Sequence, residues 1–168
     1  MYAEFTDDLI TGNEMIDSQH RELISRINDL LVSCENRSNQ SGAARLLNYL
    51  ADYTDFHFKE EEAFQKEIGY PGLKEHLEKH EELRRTVQEL HDMLTDEEGP
   101  SDAFVSKVAE NVRDWLYYHI KGFDRSVAEY KYMRDSAEPH LTEFLHSKSP
   151  AIPDQPGLFL SVILLYFS

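Results

Sequence analysis

Five histidines and two carboxylates of this chain fall where a helical protein should be apolar. His57 and Glu61 stand four residues apart, as do His76 and His80; Asp124 follows five residues after His119, and His20 comes alone near the start. Side chains four apart share one face of a helix, so each of the first two pairs offers two donors in one direction. Turning such groups inward costs on the order of several kcal/mol unless something compensates them. A metal cation is the partner that imidazole and carboxylate have in common.

Each position has a plainer reading when taken alone. His20 fits a satisfied core histidine, and His57 with Glu61 fits an ordinary helix pair at (i, i+4). His76 with His80 resembles the paired helical ligands of metal sites. Asp124 is the weakest singly, because five residues of a regular helix carry it about 140° around from His119. Glu60 and Glu62 flank Glu61 on other faces and read as a solvated surface. The conjunction decides in favour of metal, since seven polar accidents at core positions would each cost stability. Seven side chains exceed the four of a tetrahedral zinc, whereas two ions bridged by carboxylates use them all. Imidazole with carboxylate suits iron, and on donor type alone zinc and manganese stay open. The Glu and Glu-x-x-His pairs of carboxylate-rich di-iron oxidases are missing. A histidine-rich set carries less negative charge and favours holding oxygen over activating it.

The elements that must position these residues are legible as periodic apolar faces. His20, Leu23, Ile24, Ile27, Leu30, Leu31 and Cys34 define a first helix, with Asp17 or Ser18 expected as its N-cap and residues 1–16 as an irregular arm. After the break at ENRSNQSG (35–42) come Leu46, Leu50, Tyr53, His57, Glu61 and Phe64. The turn GYPG (69–72) leads to Leu73, His76, His80, Leu83, Val87, Leu90 and Leu94. DEEGPSD (96–102) leads to Val105, Val108, Val112, Trp115, His119 and Phe123. Four amphipathic helices with short connections predict an all-α, antiparallel up-down-up-down four-helix bundle over residues 1–136, with an N-terminal arm. Residues 137–168 read as a separate proline-containing tail, closing on the apolar run LFLSVILLYF (158–167).

Composition narrows the function further. The net charge of −15 disfavours nucleic acid and anionic lipid, both of which call for a basic face. The apolar run is too short to span a bilayer, and MYAEFTDDLI lacks the pattern of a secretory signal. With Cys34 the single cysteine, an intramolecular disulfide is excluded and a cytoplasmic setting is expected.

The pieces IDSQH (16–20), HFKEE (57–61), HLEKH (76–80) and WLYYHIKGFD (115–124), in this order, resemble the hemerythrin family, specifically its single-domain bacterial members. The likeness covers about residues 10–132. It implies a non-haem centre of two iron ions with a bridging oxo or hydroxo group, binding O2 reversibly for carriage, storage or sensing, without enzymatic turnover. By the family pattern His76, His80 and His119 complete one iron. His20 and His57 hold the other, leaving its open position for O2, and Glu61 and Asp124 bridge the pair. The five-residue gap to Asp124 belongs to the pattern too, and a local helix irregularity near Gly122 would bring both ligands inward. Ile24, Phe58, Leu116 and Ile120 lie within a turn of ligands and are candidates for an apolar oxygen pocket. Trp115 reads as structural, and His91, His140 and His146 as surface residues. Two departures stand out: FTDDLITGNEM lacks the tryptophan often found upstream of the first ligand, and nothing after about residue 136 matches. The tail offers a contact for a homo-oligomer or a protein partner. The competing readings are a di-iron enzyme acting on peroxide or nitric oxide, and an iron donor for repair of metal centres.

Overall fold

The computed structural model describes residues 2–37, 39–96 and 99–147, with side chains as far as residue 136. The apolar run 158–167 and residues 148–157 before it lie outside the described residues, as do the side chains of His140 and His146. Every regular element described is helical. Helix α1 spans Glu14–Ser33, α2 Gln40–Glu67 and α3 Leu73–Asp96. The fourth helix, α4, begins at Asp102 and changes pitch along its length. Its α-helical segments Asp102–Val108, Asp114–His119 and Arg125–Ser147 are separated by π turns at Ala109–Arg113 and Ile120–Asp124. The bundle unit ends at Tyr132, and a second compact unit begins at Met133.

Local chemistry explains the boundaries. Asn13 caps α1, its side chain accepting from the backbone N–H of Met15 and Ile16, so the helix starts earlier than the expected cap at Asp17 or Ser18. Asn39 caps α2 through the Gly42 N–H, and the helix therefore resumes inside the stretch read as a break. At the far end of α2, Gly69 takes the left-handed conformation (φ +66°). Its N–H donates to Lys66 O at 3.2 Å and that of Tyr70 to Gln65 O at 2.9 Å, the paired closure that a glycine after a helix end permits. Ser101 caps α4 by accepting from Phe104 N–H.

The arm before α1 is more ordered than expected. Its Asp7–Leu9 segment forms a 3-10 turn that buries Leu9. Asn28 clamps Ala3 with two hydrogen bonds, and the Tyr117 hydroxyl exchanges bonds with the Glu4 backbone. Arg125 donates to Asp8 O. Asp17, freed from capping, accepts from Thr11 N, Thr11 Oγ1 and Gly12 N and so fastens the arm to α1.

The buried faces follow the expected seams on α1 and α3, with Leu31 and Leu73 only half-buried. On α2 the face is turned by a fraction of a turn. Leu47, Thr54 and Gln65 are buried, whereas Leu46, Tyr53 and Phe64 are half-buried. On α4 the π turns move the face to Phe104, Val108, Val112, Leu116, Ile120 and Val127, leaving Val105, Trp115 and Phe123 half-buried. Leu30, Leu47, Leu90, Leu94 and Phe104 fill the apolar end of the core. The other end, formed by the start of α1, the end of α2, the start of α3 and the second π turn, collects the polar residues. Among the described residues no helix is long and apolar enough to cross a membrane.

Candidate metal centre

All seven residues singled out by spacing are buried, none more than 3 % exposed, and they meet at one level of the bundle. Ligand atoms of Glu61, His76, His80 and His119 lie within 4.8 Å of one another. Glu61 Oε2 is 3.3 Å from His80 Nε2, 3.4 Å from His76 Nε2 and 3.8 Å from His57 Nε2. Asp124 divides its oxygens. Oδ1 lies 3.2 Å from His76 Nε2 and 3.1 Å from His119 Nε2, and Oδ2 lies 3.1 Å from His20 Nε2. The two carboxylates thus reach both the three-histidine group and the His20 and His57 group.

The π turn at Ile120–Asp124 makes this convergence possible. The N–H of Arg125 donates to Ile120 O, five residues back, so the helix is locally wider and Asp124 comes round to the side of His119. The family pattern, which requires both ligands to face inward, together with the five-residue gap places an irregularity here. The first π turn, at Ala109–Arg113, had no such signal.

Burial and charge set the protonation states. Desolvation pushes the pKa of His57 down to about 4 and lowers that of His119. Burial also opposes charge on His76, yet Asp124 and Glu61 outweigh it and raise the group to about 9. Burial acts to raise both carboxylates, and at Glu61 the charge of Asp124 adds to it. The histidines win, holding Glu61 below the usual range and Asp124 well below it.

The donor set fits metal ions. His20 Nδ1 and Nε2, His57 Nε2, His80 Nε2, His119 Nδ1, Glu61 Oε2 and both Asp124 oxygens are buried without an aligned hydrogen bond. Leaving so many polar atoms unpaired in a core is expensive, and cations at their focus would satisfy most of them together.

Behind the cluster stand partners that the sequence reading passed over. His57 Nδ1 is 2.8 Å from Gln19 Oε1, His76 Nδ1 is 3.0 Å from the Gln65 amide, and His80 Nδ1 is 3.0 Å from Glu62 Oε1. Each contact holds Nδ1 and directs Nε2 at the centre. Gln65 turns its NH2 toward the ring and leaves Oε1 without a partner, and rotating the amide by half a turn would let Oε1 accept from Nδ1–H. Glu62, expected on a solvated surface, instead has a side chain only 15 % exposed. Its position beside Glu61 in sequence hid it, because adjacent helical residues point about 100° apart. Gln19 and Gln65 are buried polar residues whose inward placement became visible only with the true register of α1 and α2.

Aromatic rings pack on two of the imidazoles. Trp115 and Phe123 stack on His119, with centroids 4.4 and 5.3 Å away and planes within 12°. Phe58 stacks on His80 at 3.6 Å. Ile24, Phe58, Leu116 and Ile120 are all buried in the apolar cluster that adjoins the site. His91 is half-buried and belongs to no part of the cluster.

Comparison with known proteins accords with this geometry. Residues 11–130 match the family model described as the hemerythrin HHE cation binding domain. The chain is 31 % identical over 138 residues to a bacteriohemerythrin of Stenotrophomonas maltophilia (strain R551-3), covering 82 % of this chain and 83 % of the relative. It is 26 % identical over 119 residues to a bacteriohemerythrin of Campylobacter jejuni subsp. jejuni serotype O:23/36 (strain 81-176), covering 71 % and 87 %. Among solved structures, the crystal structure of a hemerythrin point mutant superposes with a TM-score of 0.67 at 25 % identity, covering 75 % of this chain and 94 % of that one.

Proposed function

This chain belongs to the hemerythrin family, and from that premise we propose that it binds O2 reversibly at a centre of two iron ions, as a carrier, store or sensor. The observation that carries the reading is the division of Asp124, one oxygen toward His76 and His119 and the other toward His20, with Glu61 reaching both groups. His76, His80 and His119 would hold one iron and His20 with His57 the other, with Glu61 and Asp124 bridging. Iron in this setting, beside a bridging oxo or hydroxo group, would supply the electrons and the open position that O2 requires.

The protein's own residues do the rest. Three imidazoles on one side against two on the other leave one ion short of a protein ligand, and that asymmetry favours binding a small molecule over closed structural coordination. Ile24, Phe58, Leu116 and Ile120 would surround that position with apolar side chains, excluding water and the protons that would convert a bound gas into a released product. Gln19 Oε1 and Glu62 Oε1 would accept from Nδ1–H of His57 and His80 and so keep them in the tautomer that presents a bare Nε2 inward, and Gln65 would do the same for His76 with its amide oxygen turned to the ring. Cys34 is buried and a free thiol, in keeping with a cytoplasmic setting. The tail at residues 137–168 contains none of the seven candidate ligands, and in the same proposal it serves as a contact for a second copy or a protein partner.

The test is the visible spectrum of the anaerobically iron-loaded protein, recorded before air, after air and after oxygen removal. A coloured band that appears with air and fades under inert gas is expected. Steady consumption of peroxide or nitric oxide without such a band would replace this reading with an enzymatic one.

A further inference from the structure

Among the five histidines of the cluster, His80 is the one whose outer nitrogen meets a charge. His57 and His76 face the neutral amides of Gln19 and Gln65, and Nδ1 of His20 and His119 has no hydrogen-bond partner. His80 Nδ1 lies 3.0 Å from the Glu62 carboxylate. Hydrogen bonds to a carboxylate are about twice as strong as those between neutral groups. An imidazole so bonded is polarised toward imidazolate, which makes Nε2 a stronger donor.

Glu62 is itself held from outside. Arg84 on α3 places its guanidinium 3.6 Å from Glu62 Oε1, the same oxygen that faces His80. Arg84 also pairs with Asp55 at 2.9 Å and with Glu81. Its guanidinium carbon lies 5.0 Å from the centroid of Phe58, the ring stacked on His80. An exposed pair is worth little, but Glu62 is mostly enclosed and its charge has few other partners. Arg84 draws electron density from Glu62 Oε1 and so limits what Glu62 gives to His80.

We propose that Glu62 and Arg84 are positioning residues that set the donor strength of His80, Glu62 raising it and Arg84, acting through Glu62, restraining it. The inference rests on His80 being an iron ligand, as proposed above. Its consequence is an unequal pair of metal sites, with the ion at His80 the more firmly held and the more easily kept oxidised. Arg84 lines an open groove of about 220 Å³ between α2 and α3, so altering its head group does not excavate the core.

The experiment uses the full-length, metal-loaded protein and two readouts that need no oxygen: the midpoint potential of the iron centre, and the rate at which a chelator removes Co(II) from the cobalt-loaded form. Glu62→Gln keeps an acceptor and removes the charge. It should raise the midpoint and speed cobalt loss about tenfold or more. Arg84→Gln should lower the midpoint. In the double variant the Arg84 effect should vanish, because its route is gone; an unrelayed field effect would persist there unchanged. Shifts of the same sign, or an undiminished Arg84 effect in the double variant, would overturn the proposal. If Glu62→Gln does not fold or hold metal, Arg84→Gln decides by itself, and an unchanged or raised midpoint refutes the relay. A protein that shows these shifts and no oxygenated band would sink the oxygen reading and leave this one standing. The converse result would do the reverse.

Discussion

Asp124 stands five residues beyond His119, yet its Oδ1 lies 3.1 Å from His119 Nε2. In a regular α-helix the two side chains would diverge by about 140°. The π turn between them absorbs the extra residue, so a pairing that looks wrong by helical arithmetic is the one that closes the cluster.

The wide turn is set by its neighbours rather than by glycine. A Cβ on Gly122 would meet nothing within 4 Å, and the residue is not among the glycines of positive φ. Since glycine inside a helix costs about 0.5–1 kcal/mol relative to alanine, Gly122→Ala should raise the urea midpoint and leave iron content unchanged. Loss of iron in this variant would show that the turn depends on the freedom of glycine.

Two metal sites bridged by Glu61 and Asp124, as proposed, should fail together. Wild-type protein is expected to hold two irons per chain. His76→Ala should lose most of the iron at its own site and weaken the other through Glu61 and Asp124. Elemental analysis after desalting measures this. A wild-type value settling at one ion or none would exclude a paired centre.

Without metal, stability should depend on pH in two opposed ways. His57 is lowered from 6.5 to about 4, so the unfolded chain binds its proton more readily, and stability is lost as pH falls from 6.5 toward 4. His76 is raised from 6.5 to about 9, so its contribution is present below 6.5 and fades as pH rises through about 9. Urea midpoints of the metal-free protein should therefore peak between these limits. The iron-loaded protein should be flatter, because coordinated imidazoles resist protonation. Identical profiles for the two forms would refute the idea.

The arm contributes through one residue above all. Asp17→Ala would leave Thr11 N, Thr11 Oγ1 and Gly12 N without their acceptor. These donors are only part-buried, so water takes up some of the loss; each such hydrogen bond is worth roughly 0.5–1.5 kcal/mol, and chemical denaturation should show a loss of that order with iron content intact. An unchanged midpoint would mean that the Asp17 fastening adds nothing to stability.

Much of this was legible in the sequence because imidazoles in apolar seams are conspicuous. His76, His80, Leu83, Val87, Leu90 and Leu94 lie buried where their near-heptad spacing places them. The errors cluster where pitch or capping overrides periodicity. Asn13 outcompeted Asp17 as a cap because the Asp17 carboxylate is engaged by Thr11 and Gly12, a tertiary bond with no local signature. Leu47 took the place of Leu46 because a face wider than one seam admits either neighbour until packing chooses. The π turn at Ala109–Arg113 left no mark in residue type, and Glu62 was hidden because a carboxylate beside two others reads as solvated until something is found to receive it.

Trp115 is the single tryptophan of the chain, and its indole lies parallel to the His119 ring with centroids 4.4 Å apart. The protein therefore carries a built-in optical reporter at van der Waals distance from a cluster residue. Selective excitation of indole addresses this one site against a background of tyrosines. Emission from the native chain, with no label attached, can follow the filling and emptying of the centre in real time.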